Sequence, residues 1–212
     1  MKIDRAGYPF IAAAIVPALG FAARGRTRWA TGCLALGAFF AYFFRDPERV
    51  VPVGDALVVA PADGRVMEAG IADPRWAPPG NWTQVTIFLS PVDVHINRSP
   101  VDGRVTKIDY RPGRFLPAYQ EASNDNELNE IWVDHHGIPI VFRQVVGVLA
   151  RRIVCRVAIG EHLERGQRIG LMKFGSRMDV FMPTSAELVV HVGQHVVGGE
   201  TVLARLEGPR AG

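Results

Sequence analysis

Two uninterrupted apolar runs open the chain, residues 8–23 and 29–44, and neither contains a charge. Arg24-Gly25-Arg26-Thr27-Arg28 stands between them. Neither run has the polar face of a helix lying against a soluble core. As helices each would reach about 24 Å, against a hydrocarbon thickness of roughly 30 Å. The pattern predicts an apolar helical hairpin over residues 1–45. Lys2 and Arg5 precede it, three arginines occupy its turn, and Arg45 and Arg49 follow it. A double crossing would set the turn opposite both flanks, yet all three regions are positive. A hairpin lying in the cytoplasmic leaflet keeps every arginine near anionic headgroups. The expectation is a peripheral or monotopic protein on the cytoplasmic face of the cell membrane, with a double span as the alternative.

The texture changes at Arg45-Asp46-Pro47-Glu48. Short Val- and Ile-rich runs follow at 56–60, 84–89, 103–108, 138–143, 153–158 and 187–192, separated by Gly, Pro, Asp and Asn. Such spacing predicts many short strands, hence a β-sandwich or barrel-like domain over 46–212 and a mainly β (α+β) fold class. Residues 118–129 are polar and read as a surface loop; 144–151 fit strand or helix equally. Two repeats run through this region. Pro61-Ala62-Asp63-Gly64-Arg65-Val66 returns as Pro100-Val101-Asp102-Gly103-Arg104-Val105, each an Asp-Gly turn entering a strand. Gly160-Glu161-His162 with Gly166 returns as Gly193-Gln194-His195 with Gly199. Equal glycine spacing predicts two related strand-turn-strand units, and their texture resembles biotinyl and lipoyl carrier domains.

Charge and cysteine content narrow the chemistry. The net charge of +3 comes without a Lys/Arg run or aromatic-basic stripe, which sets nucleic acid aside. Cys33 and Cys155 are far apart, giving neither a disulfide framework nor metal-ligand spacing, and suit a reducing compartment. His135-His136 invites a metal reading, but neighbours on a strand point to opposite faces. No metal is expected.

Gly175-Ser176, near the C-terminus, carries the sharpest chemistry. Glycine leaves the approach of the serine hydroxyl to the preceding carbonyl uncrowded. Attack, elimination and hydrolysis would turn Ser176 into a pyruvoyl group, a built-in electrophile for a chain without a cofactor motif. A serine hydroxyl needs a base, usually a histidine oriented by a carboxylate. Asp63 and His95 are in suitable local settings; equally, Asp63 fits a turn former and His95 a half-exposed strand residue.

The ordered set of segments resembles the short form of the phosphatidylserine decarboxylase family. It comprises the apolar hairpin, Phe44-Arg45-Asp46-Pro47, Pro61-Ala62-Asp63-Gly64, Leu89-Ser90-Pro91-Val92-Asp93-Val94-His95, Asn126-Glu127 and Phe174-Gly175-Ser176. Similar decarboxylases act on archaeal-type serine lipids, so the resemblance implies the serine headgroup and leaves the lipid tail open. The resemblance implies a proenzyme cut between Gly175 and Ser176 into a β chain, 1–175, and an α chain, 176–212, which stay together as a heterodimer. The covalent pyruvoyl group from Ser176 would be the cofactor, with an anionic phospholipid as substrate; a homo-oligomer is compatible with this reading. It also implies that Asp63 orients a histidine that activates Ser176, and that His95 is the proton donor near the substrate. Longer relatives carry a second histidine where this chain has Arg98, and an arginine stays protonated. Either His95 serves both tasks or another histidine substitutes. Arg98 and Arg177 then suit the anionic headgroup. The rival reading is a membrane-anchored carrier module using Lys173 in Leu171-Met172-Lys173-Phe174. It leaves the Asp63 and His95 segments unexplained. A serine hydrolase lacks its G-x-S-x-G turn.

Overall fold

A computed structural model describes residues 2–116, 124–147, 152–173 and 176–207, with the main chain alone at Ser176. The chain divides into two compact units, Met1–Glu48 and Arg49–Gly212.

The first unit is the predicted hairpin, with α1 at Tyr8–Ala23 and α2 at Thr27–Phe43. Strand β1 (Lys2–Ile3) pairs antiparallel with β2 (Arg45–Asp46), which carries the unit beyond residue 45. Small residues allow the two helices to approach: Ala14, Ala18, Ala30 and Gly37 are buried. A β-carbon on Gly37 would stand 3.1 Å from the Ile15 Cδ1 atom. Phe43 is buried as well, but many of the large side chains go the other way. Val16, Leu19, Trp29 and Leu34 are all more than half exposed, at 67%, 65%, 66% and 51%. That is the reverse of a soluble helical pair, which buries its large residues. Among the described residues one helix, running from the opening turn at Arg5 to Ala23, is long and apolar enough to cross a membrane.

The second unit is built of strands β3 (Leu57–Val59), β4 (Gly64–Ile71), β5 (Trp82–Leu89), β6 (Ile96–Arg98) and β7 (Gly103–Arg111). Then come β8 (Leu128–His135), β9 (Ile138–Val146), β10 (Ile153–Cys155), β11 (His162–Leu163) and β12 (Arg168–Met172). Last are β13 (Ser176–Pro183), β14 (Glu187–Leu188), β15 (His195–Val196) and β16 (Val202–Arg205). Eight of them form one curled sheet in the order β11-β7-β8-β9-β13-β5-β4-β15. Two three-stranded sheets, β10-β12-β6 and β14-β16-β3, complete the unit. Alternation along the strands sends Val85, Ile87, Leu89, Phe142, Met178 and Val180 into the main core. Trp82, Val141 and Phe181 form a smaller cluster of their own with Ala72.

Each Val- and Ile-rich run holds a strand, although 187–192 is strand only at Glu187–Leu188. The polar stretch 118–129 is less of a surface loop than its composition suggests. Leu128 and Asn129 already belong to β8. Asn126 is buried, its amide donating to Leu116 O at 2.8 Å and Val146 O at 2.9 Å. A polar side chain that replaces missing backbone partners reads in sequence like any solvated asparagine. Residues 117–123 lie outside those described. Of the ambiguous 144–151, the first three residues continue β9, and 148–151 lie outside.

Both sequence repeats are structural repeats. Val196 opposes Gly64 and His195 opposes Arg65; Leu163 opposes Gly103 and His162 opposes Arg104 in the same way. Flanking bonds match as well. Val66 N donates to Gln194 O at 2.9 Å, and Val105 N to Glu161 O at 2.8 Å. The two halves also clasp each other, with Val59 N donating to Pro100 O and Arg98 N to Pro61 O. Gly64 and Gly103 have φ of +151° and +145°. A β-carbon would stand 2.2 Å from Phe88 O at the first and 2.3 Å from Asp134 O at the second. The Asp-Gly pairs therefore serve close approach of two strands as well as turning the chain.

Candidate active site

Ser176 is the first residue of β13, paired with Leu89 of β5 on one side and Val146 of β9 on the other. Gly175 lies outside the described residues. Strand β12 ends three residues earlier in the lead-up to this ladder, and Met172 N donates to His95 O at 3.4 Å. The short link 173–175 therefore joins a strand end beside His95 to the head of a central strand.

His95 is buried, 1% exposed, rather than half-exposed on a strand surface. Its Nδ1 lies 2.9 Å from Asp93 O. A carbonyl can only accept, so that nitrogen carries the proton and Nε2 is the ring atom that exchanges one. The Asp93 carboxylate fixes the loop by accepting from Ser90 N at 2.8 Å and Ser90 Oγ at 2.6 Å, with His195 Nε2 at 3.2 Å. His95 adjoins the end of β12, and His195 reaches the same loop through Asp93. His162 and His191 are exposed at their turns.

Asp63 does not sit on a histidine. Its carboxylate accepts from Arg49 Nη2 at 2.9 and 2.7 Å and from Gly198 N at 2.8 Å. Arg98 is buried and donates from Nη1 to Gly166 O at 2.9 Å. Its Cδ and the Cβ of Arg49 both flank Gly199, at 2.9 and 3.6 Å from where a β-carbon would stand. The structure thus gathers Asp63, Arg49 and Arg98 around the Gly198-Gly199 turn, with the carboxylate answering an arginine. Arg177 is buried too. It contacts both Asp179 carboxylate oxygens, at 3.0 and 3.1 Å, and donates to Asn124 Oδ1 at 2.7 Å. Asp179 is further held by Thr86 Oγ1 at 3.0 Å. This arrangement neutralises Arg177 within the sheet.

His135 and His136 do not diverge as strand neighbours should. His136 lies in the turn after β8 with φ +52°, which swings its ring back toward that of His135. Both converge on Asp102: His135 Nδ1 on its carbonyl at 2.8 Å, His136 Nε2 on its carboxylate at 3.0 Å. Burial alone would raise the Asp102 carboxyl. Its own backbone hydrogen bond and the two histidines outweigh that and hold it below the usual carboxylate range.

Sequence reasoning missed a buried amide chain. Asn129 Nδ2 donates to Gln144 Oε1 at 3.1 Å, and Gln144 Nε2 donates to Asn97 Oδ1 at 2.9 Å. All three residues are 3% exposed or less. The available signal was proximity in sequence: Asn97 stands in β6, two residues after His95.

A scan of family descriptions matches residues 36–204 to "Phosphatidylserine decarboxylase". Relatives named "Phosphatidylserine decarboxylase proenzyme" agree over nearly the whole chain. That from Xanthobacter autotrophicus is 45% identical over 97% of this chain and 90% of its own length. That from Symbiobacterium thermophilum is 46% identical, covering 96% and 95%. That from Azorhizobium caulinodans is 43% identical, covering 96% and 89%. The chain belongs to the phosphatidylserine decarboxylase family. That membership covers the Asp63, His95 and Ser176 segments together, which the carrier reading could not join. Lys173, the carrier's working residue, is half-buried at the end of β12, its backbone N–H donating to Arg152 O at 3.3 Å. A carrier lysine must instead project from an exposed hairpin to reach its partners. The family is one of carboxy-lyases, and in this chain the two strand-turn repeats are part of the β scaffold.

Proposed function

We propose that this chain is a proenzyme that cuts itself between Gly175 and Ser176, then converts phosphatidylserine to phosphatidylethanolamine and carbon dioxide. The observation that carries the reading is Ser176 heading the central strand β13 while buried His95 adjoins the end of β12. In the cutting step the Ser176 hydroxyl adds to the Gly175 carbonyl and the acyl group moves from nitrogen to oxygen. Elimination then releases the Gly175 carboxylate, and hydrolysis of the remaining dehydroalanine releases ammonia and leaves the pyruvoyl group at the α-chain terminus. That group's precursor is the chain itself, and the site supplies what it needs: a fixed backbone on both sides and a histidine nearby. When formed, it supplies a carbonyl that draws electrons from the substrate α-carbon as the carboxylate departs.

The rest falls to the side chains. His95, with Nδ1 occupied by Asp93 O, takes or gives its proton at Nε2. It therefore serves the self-cutting step that Arg98 cannot serve, and returns the proton that replaces the lost carboxylate. Arg177, locked to Asp179, holds the strand behind the reactive terminus rigid. Arg98 and Arg49 form the cationic side of the Gly198-Gly199 turn and suit the lipid phosphate. The hairpin keeps the enzyme at the cytoplasmic surface of the membrane as a monotopic element, where its lipid substrate resides.

Intact mass of the purified, denatured protein tests the reading. Two chains dividing after Gly175, the smaller blocked at its N-terminus and reactive toward a carbonyl reagent, are expected. Ser176→Ala should give one uncut chain without lyase activity. If that variant still released carbon dioxide from phosphatidylserine, the pyruvoyl chemistry would be wrong.

A further inference from the structure

The Nδ2 atom of Asn97 is a buried hydrogen-bond donor with no partner, on a side chain that is 0% exposed. Oδ1 is engaged by Gln144 Nε2 at 2.9 Å, and Gln144 is engaged in turn by Asn129 at 3.1 Å. An unmet buried donor costs about 1–3 kcal/mol, which an acceptor arriving with a ligand would recover. The place is informative. Gln144 opposes Met178 on β13, and two residues along the same ladder Val146 opposes Ser176. Two residues along a strand is about 7 Å. His95 lies two residues before Asn97, just ahead of β6.

We propose that Asn97 Nδ2 binds the carboxylate of the serine headgroup, the group that the reaction removes. This rests on the decarboxylase reading above. An unmet N–H takes an acceptor oxygen, which excludes the substrate amine, itself a donor. The carboxylate is attached directly to the amine-bearing carbon and enters the site with it. Charge supports the assignment as well. A free guanidinium on the carboxylate would stabilise the charged ground state that decarboxylation must dissolve. Arg177 is already committed to Asp179 and Asn124, and a neutral amide orients the carboxylate with a far weaker hold on its charge. After carbon dioxide leaves, the product offers this donor nothing, which favours release.

The test uses Asn97→Ala and the isosteric Asn97→Asp, each matured and checked by intact mass. Both should cut themselves at Gly175-Ser176 like the wild type. The matured proteins are reduced with borohydride, so that they cannot turn over, and titrated calorimetrically with glycerophosphoserine and glycerophosphoethanolamine. Wild type should prefer the serine compound by about tenfold or more, the worth of one hydrogen bond to a charged group. Asn97→Ala should bind the two alike with its affinity for the ethanolamine compound unchanged, and Asn97→Asp should reverse the preference. In the unreduced enzymes kcat/KM should fall about tenfold or more, while inhibition by phosphatidylethanolamine stays constant. A preference that survives in Asn97→Ala, or equal weakening toward both compounds, overturns the proposal. So does an Asn97→Asp protein that keeps the serine preference, or a failure of both variants to cut. A wild-type protein that neither cuts nor decarboxylates would overturn the functional reading instead.

Discussion

Gly103 shows how one atom is excluded by the fold. An added β-carbon would meet Asp134 O at 2.3 Å, backbone against backbone, where nothing flexible can yield. Gly103→Ala should therefore lower stability by about 1–3 kcal/mol, the usual cost of an overpacked site. Its counterpart Gly64, at 2.2 Å from Phe88 O, should respond equally. Gly160, where nothing stands within 4 Å, carries only the cost of its positive φ and is the control. Thermal melting of the three variants decides; a Gly103→Ala protein no less stable than Gly160→Ala would refute the close-approach argument. Asp102 allows a pH test. Its carboxyl is lowered from 3.8. A depressed folded pKa stabilises the fold above the unfolded value and loses that stabilisation as pH falls through the folded value. The melting-temperature gap between wild type and Asp102→Asn should accordingly be open at pH 5 and close below about 3.8. A gap unchanged at pH 3 would mean the carboxylate contributes no net charge interaction.

Elements were more legible than contacts. The hairpin could be read because every position along 8–23 and 29–44 says the same thing, and a uniform pattern needs no partner to interpret it. The strands could be read from β-branched runs and glycine spacing, and the matched glycines at 160 and 193 have the same φ of +88°. What could not be read was which side chain meets which. The expected pairing of Asp63 with a histidine gave way to Arg49, because the partner is fixed by how residue 49 returns across the Gly198-Gly199 turn. Asn126, read as loop, is a buried backbone substitute. Asn97 was passed over because an amide's function depends entirely on its neighbours. The hairpin itself makes a testable element. Trp29, Leu34 and Leu36 present an exposed apolar surface, while Arg24, Arg26 and Arg28 lie at the turn. Binding to vesicles containing anionic lipid should weaken with rising salt yet persist in part at 1 M, since insertion is not screened. Complete release by salt would reduce the hairpin to an electrostatic tether.

For the molecule as a whole, cutting after Gly175 would separate the chain but not the fold. Strand β13 is paired along its length with β5 on one side and over six residues with β9 on the other. Strands β15 and β16 are stitched to β4 and β3. Met178, Val180, Phe181, Met182, Val196 and Leu203 are buried. At about 1.5–3 kcal/mol each they contribute on the order of 10 kcal/mol to retention of the α chain. The same interleaving makes assembly a matter of history. The polypeptide finds its fold once, as a single chain whose central strand is delivered by its own covalent link. After the cut, a molecule that unfolds becomes two solutes that must meet again by diffusion, one of them presenting a bare strand prone to pair with strangers. Recovery of the cut protein from denaturant should depend on concentration and be poor when dilute, whereas uncut Ser176→Ala should refold independently of concentration. Equal, concentration-independent recovery would mean the α chain never truly leaves. With recovery dependent on concentration, the enzyme's working life is governed by a rate of escape rather than by an equilibrium, and each molecule is armed only once.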